Sequence, residues 1–198
     1  MFRRLFATGL YEGEIDDPSL VESLAHSIRT LAEDDAAGRK WSKDKGYKGY
    51  TSYASLNDLP RRDPAVGDLQ KVLTRHAGLF ARELAFELAR KPKLDSIWVN
   101  LLKPGGHHTG HIHPHSILSG TLYVEVPKDS GPICFEDPRL PMMMAAPVRR
   151  EDAPEELRPF ITVDPRPGLI LMWESWLRHE VLPGQAKGDR LSISFNFA

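Results

Sequence analysis

Six of the eight histidines in this 198-residue chain fall in two places, and their spacing suggests what they could do. Five lie in the run His107-His108-Thr109-Gly110-His111-Ile112-His113-Pro114-His115, and the sixth is His179. His111 and His113 are two residues apart, so an extended backbone directs both imidazoles to the same side. Neutral imidazole is a good donor to Fe(II), Zn(II) and similar borderline metals. His115 shares that parity but follows Pro114, where the chain is expected to turn. His107 and His108 sit nearer the Pro104-Gly105-Gly106 turn and read as surface or rim residues.

Arg190 opens a predicted strand eleven residues after His179 and shares its polar side with Ser192. A permanently charged, planar guanidinium is suited to holding a carboxylate through two parallel hydrogen bonds in a partly dry pocket. An isolated arginine would read as a surface ion-pair residue. A histidine pair, a distant histidine, then an arginine with a serine is a more specific order: metal first, then a carboxylate-bearing ligand. Cys134, the sole cysteine, lies in the apolar run Ile133-Cys134-Phe135 and reads as a buried structural thiol.

These side chains need elements to position them. Asp17-Pro18 reads as a helix N-cap followed by proline at the first turn, and apolar residues from Leu20 to Ala32 recur at helical spacing to about Ala36. Asp63-Pro64 repeats the device before a stripe from Val66 to Leu88, with His76 at its edge as a core histidine. Residues 41–59 read as a long loop or short hairpin that could cover a site. From Ser96 the period changes to two, with strands expected at 97–103, 110–113, 121–126, 132–136, 161–163, 169–174, 179–182 and 191–197. About eight short strands separated by Pro and Gly predict a sandwich or jelly roll.

Three strands are two-faced. Leu191, Ile193, Phe195 and Phe197 oppose Arg190, Ser192, Ser194 and Asn196; Ile97, Val99 and Leu101 oppose Trp98 and Asn100. Leu122, Val124 and Val126 oppose Thr121, Tyr123 and Glu125. The apolar faces would seat the helices, and the polar faces with their large aromatics would line a ligand cavity. The alternative is a half-exposed antiparallel sheet.

The chain resembles the 2-oxoglutarate/Fe(II) oxygenases of bacteria and their phages, a family close in pattern to prolyl hydroxylase-like enzymes. The likeness rests on Gly110-His111-Ile112-His113-Pro114, residues 119–124, Phe135-Glu136-Asp137-Pro138-Arg139, Pro167-Gly168, residues 175–181 and residues 190–196, with Gly49-Tyr50-Thr51-Ser52-Tyr53 nearer the start. It implies an α+β, mainly β fold: a double-stranded β-helix (jelly roll, cupin-like) with N-terminal helices on one sheet. One domain would span 1–198, with 1–95 as helical support and 96–198 as the β core. The implied metal ligands are His111, His113 and His179. Because the wider superfamily places an acid where His113 stands, Asp137 is a fourth candidate. The implied co-substrate, 2-oxoglutarate, would be held by Arg190 with a hydroxyl from Ser192 or Tyr123, in a cavity lined by Asn100 and Trp98. Residues 41–57 and Met142-Met143-Met144 would form its rim.

Composition limits the other readings. Lys plus Arg (26) nearly balance Asp plus Glu (27), which offers no sequence-independent attraction to nucleic acid or an anionic membrane. The N-terminal Met1-Phe2-Arg3-Arg4-Leu5-Phe6-Ala7 has no sustained apolar run behind it, and no stretch approaches the roughly 20 apolar residues of a membrane span. The expectation is therefore a cytoplasmic enzyme acting on a small molecule or peptide, with a homodimer compatible with its size. Two alternatives stand: a cupin-like metal enzyme without 2-oxoglutarate (a three-histidine dioxygenase or an isomerase), and a non-catalytic jelly-roll module binding a small ligand.

Overall fold

The computed structural model describes residues 1–3 and 5–198; Arg4, part of the basic N-terminal stretch, lies outside them. Both expected helix starts are present. In α1 (Pro18–Asp34) the Asp17 carboxylate accepts from Ser19 N and Leu20 N at 3.0 and 3.1 Å. In α4 (Pro64–Glu83) Asp63 does the same for Ala65 N and Val66 N. Between them lie α2 (Ala36–Asp44), strand β2 (Gly49–Thr51) and the short α3 (Leu59–Arg62), so helix or strand takes up 41–44, 49–51 and 59 of the expected 41–59 loop.

Two antiparallel sheets follow. The larger has the order β1-β8-β5-β10-β3-β2, from β1 (Leu10–Glu14), β3 (Leu94–Leu102), β5 (Leu118–Glu125), β8 (Leu169–Glu174) and β10 (Arg190–Phe197). The smaller has the order β4-β9-β6-β7, from β4 (His108–His111), β6 (Ile133–Glu136), β7 (Phe160–Val163) and β9 (His179–Val181). All eight strands expected after residue 96 are found within a few residues. The region before it does more than supply helices: β1 pairs with β8, and β2 pairs with β3.

The alternating strands explain why the layers stack. Leu191, Ile193, Phe195 and Phe197 of β10 join Val99, Leu122, and Leu24, Ile28, Leu69 and Leu73 of α1 and α4 in one buried cluster. A second cluster between the sheets holds Tyr123, Phe135, Leu171, Trp173 and Leu177. The alternation expected along β5 stops early. Leu191 pairs with Glu125 but Ser192 pairs with Tyr123, which leaves Val124 as the extra residue of a β-bulge. Glu125 thereby turns to the helix side and meets Arg29 of α1 at 2.7 and 2.5 Å, while Val126 packs on the inter-sheet cluster.

Asp35 ties the break between α1 and α2 to the sheet. Its carboxylate accepts from Gly38 N and Tyr50 OH, both at 2.9 Å, and from Ser55 Oγ. Partial burial pushes its pKa up, but the hydrogen bonds from Ser55, Gly38 N and Tyr50 outweigh this and hold it below the ordinary carboxylate value. A depressed folded pKa contributes stability that is present above the unfolded value, near 3.9, and lost as pH falls through the folded one. Asp35→Ala should lower the unfolding free energy in urea by about 1–3 kcal/mol at pH 7. The gap from wild type should narrow below pH ~4; an equal gap at both pH values would show that the charge is irrelevant.

Candidate active site

The three expected histidines converge. β4 pairs with β9 so that His111 faces His179, and His113, two residues past the strand, is anchored by its N–H to Ser175 O at 2.9 Å. Ring centroids lie 5.1 Å (His111 to His113), 4.4 Å (His111 to His179) and 5.1 Å (His113 to His179) apart. One nitrogen from each lies within 4.8 Å of the others, and no other such metal-ligating cluster occurs among the described residues.

Each Nδ1 is occupied by an acceptor. His111 Nδ1 donates to Thr109 O (2.7 Å), His179 Nδ1 to Leu177 O (2.9 Å) and His113 Nδ1 to Asn196 Oδ1 (2.7 Å). An acceptor at Nδ1 fixes the proton there and leaves the Nε2 lone pair free for a metal. Asn196 is itself held by Ser119 Oγ and Ser96 Oγ. Burial lowers the pKa of His113 and brings that of His179 down to about 3, so both are neutral donors at physiological pH. His113 Nε2 is buried with no hydrogen-bond partner, as a metal-ligating nitrogen would be once its metal is discounted. The residues therefore fit a metal ion bound by three imidazoles.

This cluster lies in a cavity of about 650 Å3 between the sheets. Four buried side-chain atoms lack a partner among the described residues: His113 Nε2, Tyr123 OH, Trp173 Nε1 and Arg190 Nε. All four residues line this cavity. Arg190 is 5% exposed, donates one N–H to Gly131 O at 2.9 Å, and lies 5.7 Å from the Tyr123 ring. No carboxylate pairs with it among the described residues. Burial pushes the Tyr123 phenol up to about 12, so it is a neutral donor. Ser192, Asn100 and Trp98 line the cavity as expected, and Asn100 Nδ2 donates to Ser194 Oγ at 3.1 Å.

Several expectations need correction. Asp137 is absent from the histidine cluster: β6 sets Phe135, not Asp137, opposite His179, and the Asp137 carboxylate is held by Arg139 Nε and an Arg139 terminal nitrogen at 2.9 and 2.8 Å. His108 is not a rim residue. It faces inward, hydrogen-bonds Tyr47 OH at 3.0 Å, and burial with the nearby Arg190 charge takes its pKa down to about 3. Tyr47, unremarked in sequence, lines the same end of the cavity; its only hint was its place in the 41–57 segment, which does form a wall. Met142, Met143 and Met144 do not line the cavity, and Met142 and Met144 are exposed. His115 is exposed in a turn with φ 73°, and His76 is buried against Tyr11 OH at 2.8 Å, both as expected.

Two facing sheets, a three-imidazole cluster between them and a buried unpaired arginine beside it describe a metal-dependent double-stranded β-helix protein. A family model described as "Putative 2OG-Fe(II) oxygenase" matches residues 96–196, and the chain belongs to that family. Fe(II) and 2-oxoglutarate are accordingly its metal and co-substrate. Similar solved structures share the fold at low identity. A Pseudomonas putida prolyl-4-hydroxylase is 17% identical with a TM-score of 0.59, over 96% of this chain and 92% of that one. The epimerase SnoN, solved with Fe3+, alpha-ketoglutarate and nogalamycin RO, is 16% identical at TM-score 0.65, over 96% and 79%. A prolyl hydroxylase from Trichoplax adhaerens, in complex with a hypoxia inducible factor peptide fragment, is 13% identical at 0.60, over 96% and 83%. No curated protein matches the sequence.

Proposed function

We propose that the protein is a 2-oxoglutarate-dependent dioxygenase that hydroxylates its substrate: C–H, O2 and 2-oxoglutarate yield C–OH, succinate and CO2. The observation that carries this reading is that all four unpartnered buried side-chain polar atoms among the described residues belong to one cavity, where three imidazoles present free Nε2 atoms beside a buried guanidinium. His111, His113 and His179 hold the metal, and their Nδ1 hydrogen bonds keep the rings aimed. Arg190 takes the distal carboxylate of 2-oxoglutarate, with Tyr123 OH and the Ser192 hydroxyl as neutral donors; Asn100 braces the wall through Ser194. Bound Fe(II) supplies O2 activation and an oxidant able to take hydrogen from carbon. The cavity walls limit water around that chemistry. The family's designation as oxygenases supports oxygen insertion. Because SnoN is named an epimerase on the same fold, the mass of the product decides between the two outcomes. A cytoplasmic setting belongs to this reading, supported by the single, unpaired, buried Cys134; among the described residues no helix is long and apolar enough to cross a membrane.

Anaerobic protein titrated with Fe(II) and then 2-oxoglutarate should develop the weak visible charge-transfer band of a chelated 2-oxo acid, and admitting O2 should convert 2-oxoglutarate to succinate. The band should survive Asp137→Ala. Iron binding without a band would move the assignment to a cupin-like three-histidine enzyme, and no metal binding at all to a ligand-binding module.

A further inference from the structure

The charge of the cavity is one-sided. The chain carries 27 acidic residues, yet not one lines this cavity; its charged side chains are Lys45, Lys48 and Arg190. The three-imidazole cluster adds no negative charge where a carboxylate ligand would. On the reading given above, a divalent metal and Arg190 contribute three positive charges, and 2-oxoglutarate brings two negative ones. Positive charge therefore remains even before the lysines are counted. Lys45 and Lys48 have neither an ion-pair nor a side-chain hydrogen-bond partner among the described residues. The Lys48 ammonium lies over Gly105, where an added Cβ would come within 2.9 Å of it. Lys45 follows Trp41 by one helical turn, whereas Lys48 stands toward the Arg190 end, since the next residue, Gly49, pairs with the same Leu102 of β3 that pairs with Arg190.

The wall beside Lys45 is aromatic. Trp41 and Tyr53 are 5.9 Å apart, Tyr53 and Trp98 5.2 Å, and Trp98 stacks on His113 at 5.9 Å with 24° between planes. This row of rings runs from the mouth to the metal cluster. Tyr53 is 61% exposed, more than a residue recruited for core packing would be. Trp41 and Tyr53 meet at 53° and Tyr53 and Trp98 at 74°, and rings so set hold a further ring-shaped body edge to face as well as by stacking, while a cavity of one charge sign attracts ligands of the other.

We propose that the prime substrate is a small ring-bearing anion, its ring laid along Trp41, Tyr53 and Trp98 and its carboxylate or phosphate held by Lys45 and Lys48. This inference rests on the assignment of the Arg190 end to 2-oxoglutarate, and the test separates the two. Calorimetry would first establish 2-oxoglutarate binding to the Zn(II)-loaded protein; failure there sinks the co-substrate assignment. With 2-oxoglutarate saturating, benzoate, 2-naphthoate, phenyl phosphate and 2-naphthyl phosphate are then titrated beside neutral benzamide and 2-naphthamide. The expected result is anion binding at least roughly tenfold tighter than that of the matched amide, falling with added salt. That advantage should disappear in Lys45→Gln/Lys48→Gln, and Tyr53→Ala should weaken anions and amides together. Tighter phosphates than carboxylates would mark a phosphorylated substrate, and the reverse order a carboxylic acid. Amides that match every anion, or an anion preference surviving the double lysine variant, would overturn the proposal.

Discussion

Replacing Arg190 with alanine should weaken 2-oxoglutarate binding roughly 100- to 1000-fold, about 3–4 kcal/mol, while Fe(II) binding changes by no more than a few-fold. The size of the effect follows from the side chain's surroundings. Arg190 is buried and cationic, and its Nε has no partner among the described residues. Among the described residues its one side-chain hydrogen bond goes to a backbone carbonyl, that of Gly131. A carboxylate entering this end exchanges water for a charge-assisted, planar pair of hydrogen bonds at little cost in side-chain ordering. Arg190→Lys should recover only part of the loss, because a point charge cannot reproduce the fork. Stability should move the other way. A buried cation without a counter-ion is costly, so Arg190→Met should melt no lower than wild type without ligand. Calorimetric titration of the Fe(II) protein and a thermal melt check the two halves; unchanged 2-oxoglutarate affinity in Arg190→Ala would remove the arginine from the co-substrate site.

A graded loss is expected at the metal cluster. His179→Ala should abolish Fe(II) binding at micromolar concentrations and all succinate formation, since two imidazoles cannot supply the facial set. Asn196→Ala should be milder, lowering metal affinity about 10- to 100-fold, because Asn196 acts only by orienting His113 through its Oδ1. Direct titration with a metal-sensitive chelator reads both. Equal losses in the two variants would mean that Asn196 holds up the fold rather than the ligand, and circular dichroism would show that as lost structure.

What was legible in the sequence is what local periodicity decides. The alternation in β10 assigns Arg190, Ser192 and Asn196 to one side and Ile193 and Phe195 to the other without reference to any neighbour, and the structure agrees. The histidine pair was legible for the same reason, and the capping aspartates mark α1 and α4 with their own side chains. The misses depend on partners remote in sequence. β1 is a strand only because β8 offers it an edge, far along the chain. The bulge at Val124 arises from how β5 meets β10, and nothing in β5 alone announces it. β6 does pair with β9 as expected, but Asp137 lies just past β6, the register sets Phe135 opposite His179, and Arg139 holds the Asp137 carboxylate. His108 was set aside for its closeness to a turn, when its β4 position and the approach of Tyr47 bring it inside.

The place of β10 bears on how the molecule assembles. This strand follows every other in the sequence, yet it lies between β5 and β3 in the larger sheet. Until it is made, β3–β2 and β5–β8–β1 share no strand, and the helices have only separate pieces of their apolar platform to rest on. The same strand carries Arg190, Ser192 and Asn196. Closure of the sheet, burial of the main core and completion of the ligand-binding wall are thus one event, set by contacts of long sequence separation, so partly made chains expose open strand edges and need protection from aggregation while they wait.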